Sequence, residues 1–166
     1  GDELYWRTKP YKAATCPGYI NVGSVPIVYV WLEGIQYRLV RTGEVYRDDS
    51  GALAVDRVIN SSIPRAEWRL VREGGAVDYF DKDGLIVKSE YRGDRCVEYG
   101  YSAGRLVRKV DHAGRSVNYS YDDLGRLISV ALPEGGSIQY EYGESDDKGE
   151  GRLTKVTYPD KTVRLY

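Results

Sequence analysis

Over residues 76–166 apolar and polar residues alternate in short runs separated by turn formers, and the alternation repeats at a fixed period. Three runs align: Val97-Glu-Tyr99-Gly-Tyr101, Val117-Asn-Tyr119-Ser-Tyr121 and Ile138-Gln-Tyr140-Glu-Tyr142, at offsets of 20 and 21 residues. Each is a β-branched residue followed by Tyr at the second and fourth positions after it. A fainter copy lies 20 residues upstream, Val77-Asp-Tyr79-Phe-Asp81, with Asp in place of the last Tyr. Period-two alternation puts the β-branched residue and both rings on one strand face and Glu, Asn, Ser or Gln on the other. One face is packed and the other wet.

A second motif opens the next strand after each turn: Gly104-Arg105-Leu106, Gly125-Arg126-Leu127 and Gly151-Arg152-Leu153, with Gly84-Leu85-Ile86 as a looser copy. The distance from its aliphatic residue to the second Tyr is 15 residues in three units: Ile86 to Tyr101, Leu106 to Tyr121 and Leu127 to Tyr142. Each unit is therefore a β-hairpin of about 20 residues. The internal turns carry Gly93-Asp94, His112-Ala-Gly114 and Pro133-Glu-Gly135-Gly136. The last copy, Tyr158-Pro159-Asp160-Lys161, has Lys where Gly is expected, which predicts a turn shortened by one residue. The link after Tyr142 is five residues longer than the one after Tyr121.

Upstream, Ile27–Leu32 and Ile35–Val40 flank the hairpin signal Glu33-Gly34. Asp48-Asp-Ser-Gly51 separates another pair, and Trp68–Arg72 closes on Gly74-Gly75. Residues 1–26 hold three of the six prolines and read as irregular. The expected organisation is an irregular segment over 1–26, N-terminal hairpins that serve as a possible cap over 27–75, and repeats over 76–166. The fold class is all-β, a meander of consecutive hairpins forming a twisted repeat strip.

Composition agrees with this reading. The 166 residues include 16 Tyr, 19 Gly and 3 Trp, against one Phe, one His and no Met. With 24 Lys plus Arg against 25 Asp plus Glu, the net charge of −1 gives no basic footprint for nucleic acid. No apolar run is long enough to span a bilayer as a helix. Gly at position 1 reads as a processed or truncated product.

Together, the Gly-Arg-Leu motif, the Pro-x-Gly turn and Tyr119-Ser-Tyr121-Asp122 resemble the YD repeat of the rearrangement-hotspot (RHS) proteins, over about residues 76–166. The resemblance implies a long sheet wound from hairpins. In bacterial members it closes as a shell around a toxin, and in animal relatives it forms part of a large adhesion receptor. It further implies a secreted or cell-surface location, here of bacterial type. Three complete repeats are too few to enclose a protein, and the self-cleavage motif of bacterial shells is missing.

The candidate chemistry is set against this background. The rings Tyr79, Tyr99, Tyr101, Tyr119, Tyr121, Tyr140 and Tyr142 could stack on sugar faces, but as residues that define the repeat they are better read as structural, each beside its neighbour in the next repeat. A glycan contact would use the polar face. The acidic link Glu144, Asp146, Asp147 and Glu150 lacks EF-hand spacing, and Asp81-Lys-Asp83-Gly84 reads as a hairpin link, so no metal is assigned. His112, the sole histidine, lies in a turn beside Asp111 and recruits no nucleophile. Carboxylates for a hydrolase are plentiful, but nothing in the sequence pairs them. The row Arg105, Arg126 and Arg152 reads as cross-strand ion pairs. Cys16 and Cys96 are compatible with one disulfide or with two thiols. The expectation is a non-enzymatic structural or interaction module without a cofactor, its partner a protein or a second copy joined at an exposed edge strand. The alternative is a stand-alone carbohydrate-binding or adhesion module.

Overall fold

In the computed structural model the described residues are 18–22, 27–32, 35–58, 62–144 and 151–166. They form strands only, in two units. The first, Gly1–Leu106, contains β1 (Gly18–Val22), β2 (Ile27–Leu32), β3 (Ile35–Thr42), β4 (Val45–Arg47), β5 (Leu53–Arg57), β6 (Trp68–Arg72), β7 (Val77–Phe80), β8 (Ile86–Tyr91) and β9 (Arg95–Ser102). The second, Val107–Tyr166, holds most of β10 (Arg105–Asp111), then β11 (Ser116–Tyr121), β12 (Leu127–Ala131), β13 (Ser137–Tyr142), β14 (Leu153–Thr157) and β15 (Val163–Leu165). Strand order is chain order, and the strand pairings within each unit are antiparallel. This is the hairpin meander that the periodicity predicts.

The compact units divide within the repeats, at Leu106, whereas the onset of the repeat period places the change between residues 75 and 76. Residues 18–22 also depart from the irregular reading of 1–26. They form β1, in register with β2 from Gly18 opposite Leu32 to Val22 opposite Val28. A five-residue run between Pro17 and Gly23 is too short to reveal its alternation, and pairing with β2 makes it a strand.

Within the first unit β1 comes into contact with β8, so this sheet curls back on itself. Its inner face seals Val28, Val30, Leu39, Val55, Leu70 and Phe80 completely from solvent, with Leu53 and Ile86 nearly so. Tyr37, Tyr46, Trp68, Tyr99 and Tyr101 pack against this core. The second unit, by contrast, has Val130 and Val156 as its buried apolar residues among those described.

Several of the turns share one geometry. In Asp81-Lys-Asp-Gly84-Leu85 the N–H of Gly84 donates to the Asp81 carbonyl (3.0 Å) and that of Asp81 to the Leu85 carbonyl (2.9 Å). The same pair of bonds closes Asp111–Arg115, Asp122–Arg126, Leu132–Gly136 and Tyr158–Thr162. The fourth position of such a turn is left-handed, as at Gly125 with φ 81°. The Tyr158 turn is not shortened: Lys161 takes the glycine position with φ 68°, and its two closing bonds are intact. The cross-strand pairing on either side holds Lys161 in a conformation that local preference disfavours.

Candidate functional site

The links between hairpins are where the repeat's defining residues meet. In the link after β11, Asp122 Oδ1 accepts the Arg126 backbone N–H (2.7 Å) and Oδ2 accepts Arg126 Nε (2.7 Å). The guanidinium lies over the Tyr142 ring, 4.7 Å from its centroid. The Tyr142 hydroxyl donates to the Leu127 carbonyl (2.8 Å). Asp122, Arg126, Leu127 and Tyr142 thus form one clamp, and the motifs Tyr-Asp and Gly-Arg-Leu are two halves of a single device. Burial pulls the Asp122 carboxyl upward, but its bonds to Arg126 outweigh this and its pKa is lowered. Burial raises the Tyr142 phenol. Gly151 belongs to the same cluster, since a Cβ there would run into the Gly143 carbonyl and the Arg126 guanidinium.

Three of the links, those after β7, β11 and β13, end in a β-bulge. Tyr121 pairs with Leu127 although Ser120 pairs with Ser129, and Tyr142 pairs with Leu153 although Glu141 pairs with Lys155. In the first unit Phe80 pairs with Ile86 although Tyr79 pairs with Lys88. Phe80, and not Asp81, is therefore the counterpart of Tyr121 and Tyr142, and the faint copy is aligned one residue out in the sequence reading. Asp81 is the counterpart of Asp122. It is 1 % exposed and accepts the N–H groups of Asp83 and Leu85 (3.0 Å each). Because Leu85 replaces the arginine, the cation comes from another loop, as Arg65 Nη2 at 2.8 Å.

The one-residue offset turns β7 over. Asp78 and Phe80 point inward, while Tyr79 lies on the outer face and donates to Glu90 (3.1 Å). Tyr79 thus stands apart from the other six tyrosines. Asp78, fully buried, accepts Ser89 Oγ at 2.5 Å and pairs with Arg72, whose Nε lies 2.9 Å from Oδ2. Arg72 also reaches over the Tyr91 ring at 5.9 Å. Tyr99 shares a hydrogen bond with Ser89, and burial pushes its phenol up to about 12. Sequence reasoning missed this interior network. The signal that locates it is Phe80-Asp81 read as an equivalent of Tyr121-Asp122.

In the second unit the two faces differ in chemistry. On one, Tyr119 faces Val130, which faces Ile138, and Tyr140 faces Val156, which faces Arg164. Tyrosines of successive hairpins therefore sit two strands apart, about 10 Å, with an aliphatic strand between them. The other face carries Ser120, Ser129, Gln139 and Thr157 in one cross-strand row. Gln139 Nε2 donates to Ser129 (3.0 Å) and Ser137 (2.7 Å). Lys155 and Glu141 pair beside the row at 2.7 Å.

The remaining candidates are scattered. His112 is exposed at a turn tip, and Asp111 is paired with Arg115 Nε at 2.7 Å. Arg105 and Arg152 are exposed, whereas Arg126 is held in the clamp. Gly104, with φ 74°, and Leu106 open β10, and Leu153 opens β14. Cys96 is a half-buried free thiol on β9; Cys16 lies outside the described residues, as do Asp146, Asp147 and Glu150 of the acidic link. Among the described residues no group of three or more His, Cys, Asp or Glu could hold a metal ion, and no helix is long and apolar enough to cross a membrane.

Two stretches, residues 101–137 and 121–163, match the family described as RHS Repeat. Teneurin-4 of Homo sapiens and Teneurin-4 of Mus musculus are each 32 % identical to the chain over 99 residues, 59 % of its length. The chain spans 3 % of the length of these relatives.

Proposed function

We propose that this chain, which matches the RHS Repeat family over residues 101–137 and 121–163, works as a non-enzymatic structural module, one section of a hairpin-repeat scaffold that joins a protein strand at an exposed edge. The finer reading is a section of a secreted or cell-surface assembly of the toxin-encapsulating bacterial kind. The observation that carries the proposal is the link clamp of Asp122, Arg126 and Tyr142. It spends the signature residues of the repeat on fixing one hairpin to the next, which is what a scaffold requires.

The test is to duplicate one unit, inserting a second copy of residues 122–142 after Tyr142. A scaffold accepts the extra hairpin, so ellipticity per residue stays constant and the protein remains monodisperse. Loss of cooperative unfolding or insolubility would overturn the reading.

The second reading, carbohydrate binding, draws support from the uncharged row Ser120, Ser129, Gln139 and Thr157. It offers hydroxyl and amide groups at strand spacing to the hydroxyls of a sugar chain. A glycan array probed with the protein and with Gln139→Ala tests it. Binding that the substitution weakens supports the reading, and an array without signal removes it.

A further inference from the structure

Strand β7 has two amphipathic faces, and the one turned inward is the one that the repeat pattern disfavours. Asp78 and Phe80 are sealed in the core, while Val77 and Tyr79, which match the Val-x-Tyr of the other hairpins, stay half-buried on the outer side. Since Phe80 is the counterpart of Tyr121 and Tyr142, Asp78 is the counterpart of Tyr119 and Tyr140. A carboxylate thus stands where the repeat places a ring, in the inner row between Leu70 and Ser89.

A second register is open to the same residues. Sliding residues 77–79 by one position sets Val77 opposite Ser89, Asp78 opposite Lys88 and Tyr79 opposite Val87, with Phe80 still opposite Ile86. The slide erases the bulge between Tyr79 and Phe80 and passes one residue into the Gly74-Gly75 turn, where both glycines are already left-handed. Val77 and Tyr79 then turn inward, Phe80 and Ile86 turn outward, and Asp78 lies on the outer face between Arg69 and Lys88. One aromatic and one aliphatic side chain are exchanged for another such pair, so burial alone discriminates weakly between the registers.

We propose that Arg72 and Ser89 lock the register of β7: pointing inward from the strands on either side, they accept Asp78 and reject Val77 and Tyr79. In the observed register the carboxylate accepts Ser89 Oγ at 2.5 Å and Arg72 Nη2 at 3.2 Å, both on Oδ1. In the slipped register these donors lose that acceptor. Ser89 is 1 % exposed and the Arg72 side chain 23 %, so a hydroxyl and a cation are left enclosed beside Val77, which is costly. The buried pair therefore acts on selectivity: it penalises the wrong register more than it stabilises the right one.

The experiment reads the backbone NOEs that connect β7 to β8 in the full chain. The parent is expected to show contacts between positions 78 and 89. Arg72→Met combined with Ser89→Ala strips Asp78 of its inward donors, and contacts between positions 78 and 88 are expected to replace them. A second variant adds Asp78→Leu, so that either register has an uncharged inner row at these positions, and two sets of β7 amide resonances are expected, one for each pairing. Parent pairing in the first variant would overturn the lock. If that variant does not fold, the second decides: parent pairing alone overturns the lock, and slipped pairing in any measurable fraction supports it.

Discussion

The two units of this chain are built from similar hairpins but are held together differently. In Gly1–Leu106 the sheet curls until β1 meets β8, and Phe80, Leu70, Leu39, Val28, Val30, Val55 and Asp78 are sealed inside. In Val107–Tyr166 the buried apolar residues among those described are Val130 and Val156, and Tyr119, Tyr121, Tyr140 and Tyr142 remain half-buried. Curling gives each apolar side chain neighbours from several strands. A single layer offers neighbours from only the adjacent two, so its order depends more on turns, clamps and cross-strand pairs. The same repeat can thus be stabilised by enclosed volume or by local chemistry, and the balance sets which substitutions matter.

The contrast can be broken most forcefully at its core. Phe80→Ala is expected to destabilise the first unit by about 3–5 kcal/mol, whereas Val130→Ala in the second costs only about 1–2 kcal/mol, both read from denaturant unfolding. Asp78→Ala strands Arg72 and Ser89 in the interior and should cost about 2–4 kcal/mol; an unchanged midpoint would show that the network is dispensable. Arg126→Leu removes the clamp and is expected to lower the stability of the second unit by about 1 kcal/mol. Hydrogen exchange should then speed up at Gly125 and Gly143 while Val55 and Leu70 keep their protection. In the opposite direction, Lys161→Gly relieves a left-handed lysine and should raise stability by about 0.5–1 kcal/mol.

The smallest effect is on acidity. Asp111, held down chiefly by Arg115, and Asp160, held down chiefly by Thr162, have lowered pKa values, as does Asp122 against the pull of its burial. A carboxyl with a lower pKa in the folded state stabilises fully above its unfolded value, near 4, and loses that contribution as the pH falls through the folded value. The turns of the second unit should therefore loosen in acid before the core of the first does. Amide shifts of Ala113, Arg126 and Thr162 followed from pH 7 to pH 2 would show this order or refute it.

Much of the fold was legible because the alternation of Val117-Asn-Tyr119-Ser-Tyr121 is a direct consequence of strand geometry. The turns were legible because Gly114, Gly125 and Gly135 stand where a left-handed residue is needed. Lys161 was misread for the complementary reason, since tertiary pairing there overrides local preference. The faint copy was placed one residue out because Val77 and Tyr79 imitate the pattern, while the true equivalence depends on a bulge that leaves no mark in composition. The interior network of Asp78, Ser89 and Arg72 stayed hidden with it, because an alternating strand gives no sign of which face will be enclosed.

The bulge that closes the links after β11 and β13 has a consequence for how such a protein can change over time. The links before Leu127 and Leu153 differ by five residues, yet Tyr121 meets Leu127 and Tyr142 meets Leu153 in the same pairing. The bulge acts as a frame-restoring mark: whatever length of chain is spliced in ahead of it, inward and outward positions downstream keep their phase. A gene built this way can gain or lose link segments, or copy a unit of about 20 residues by unequal recombination, without the one-residue slip that would turn a strand inside out.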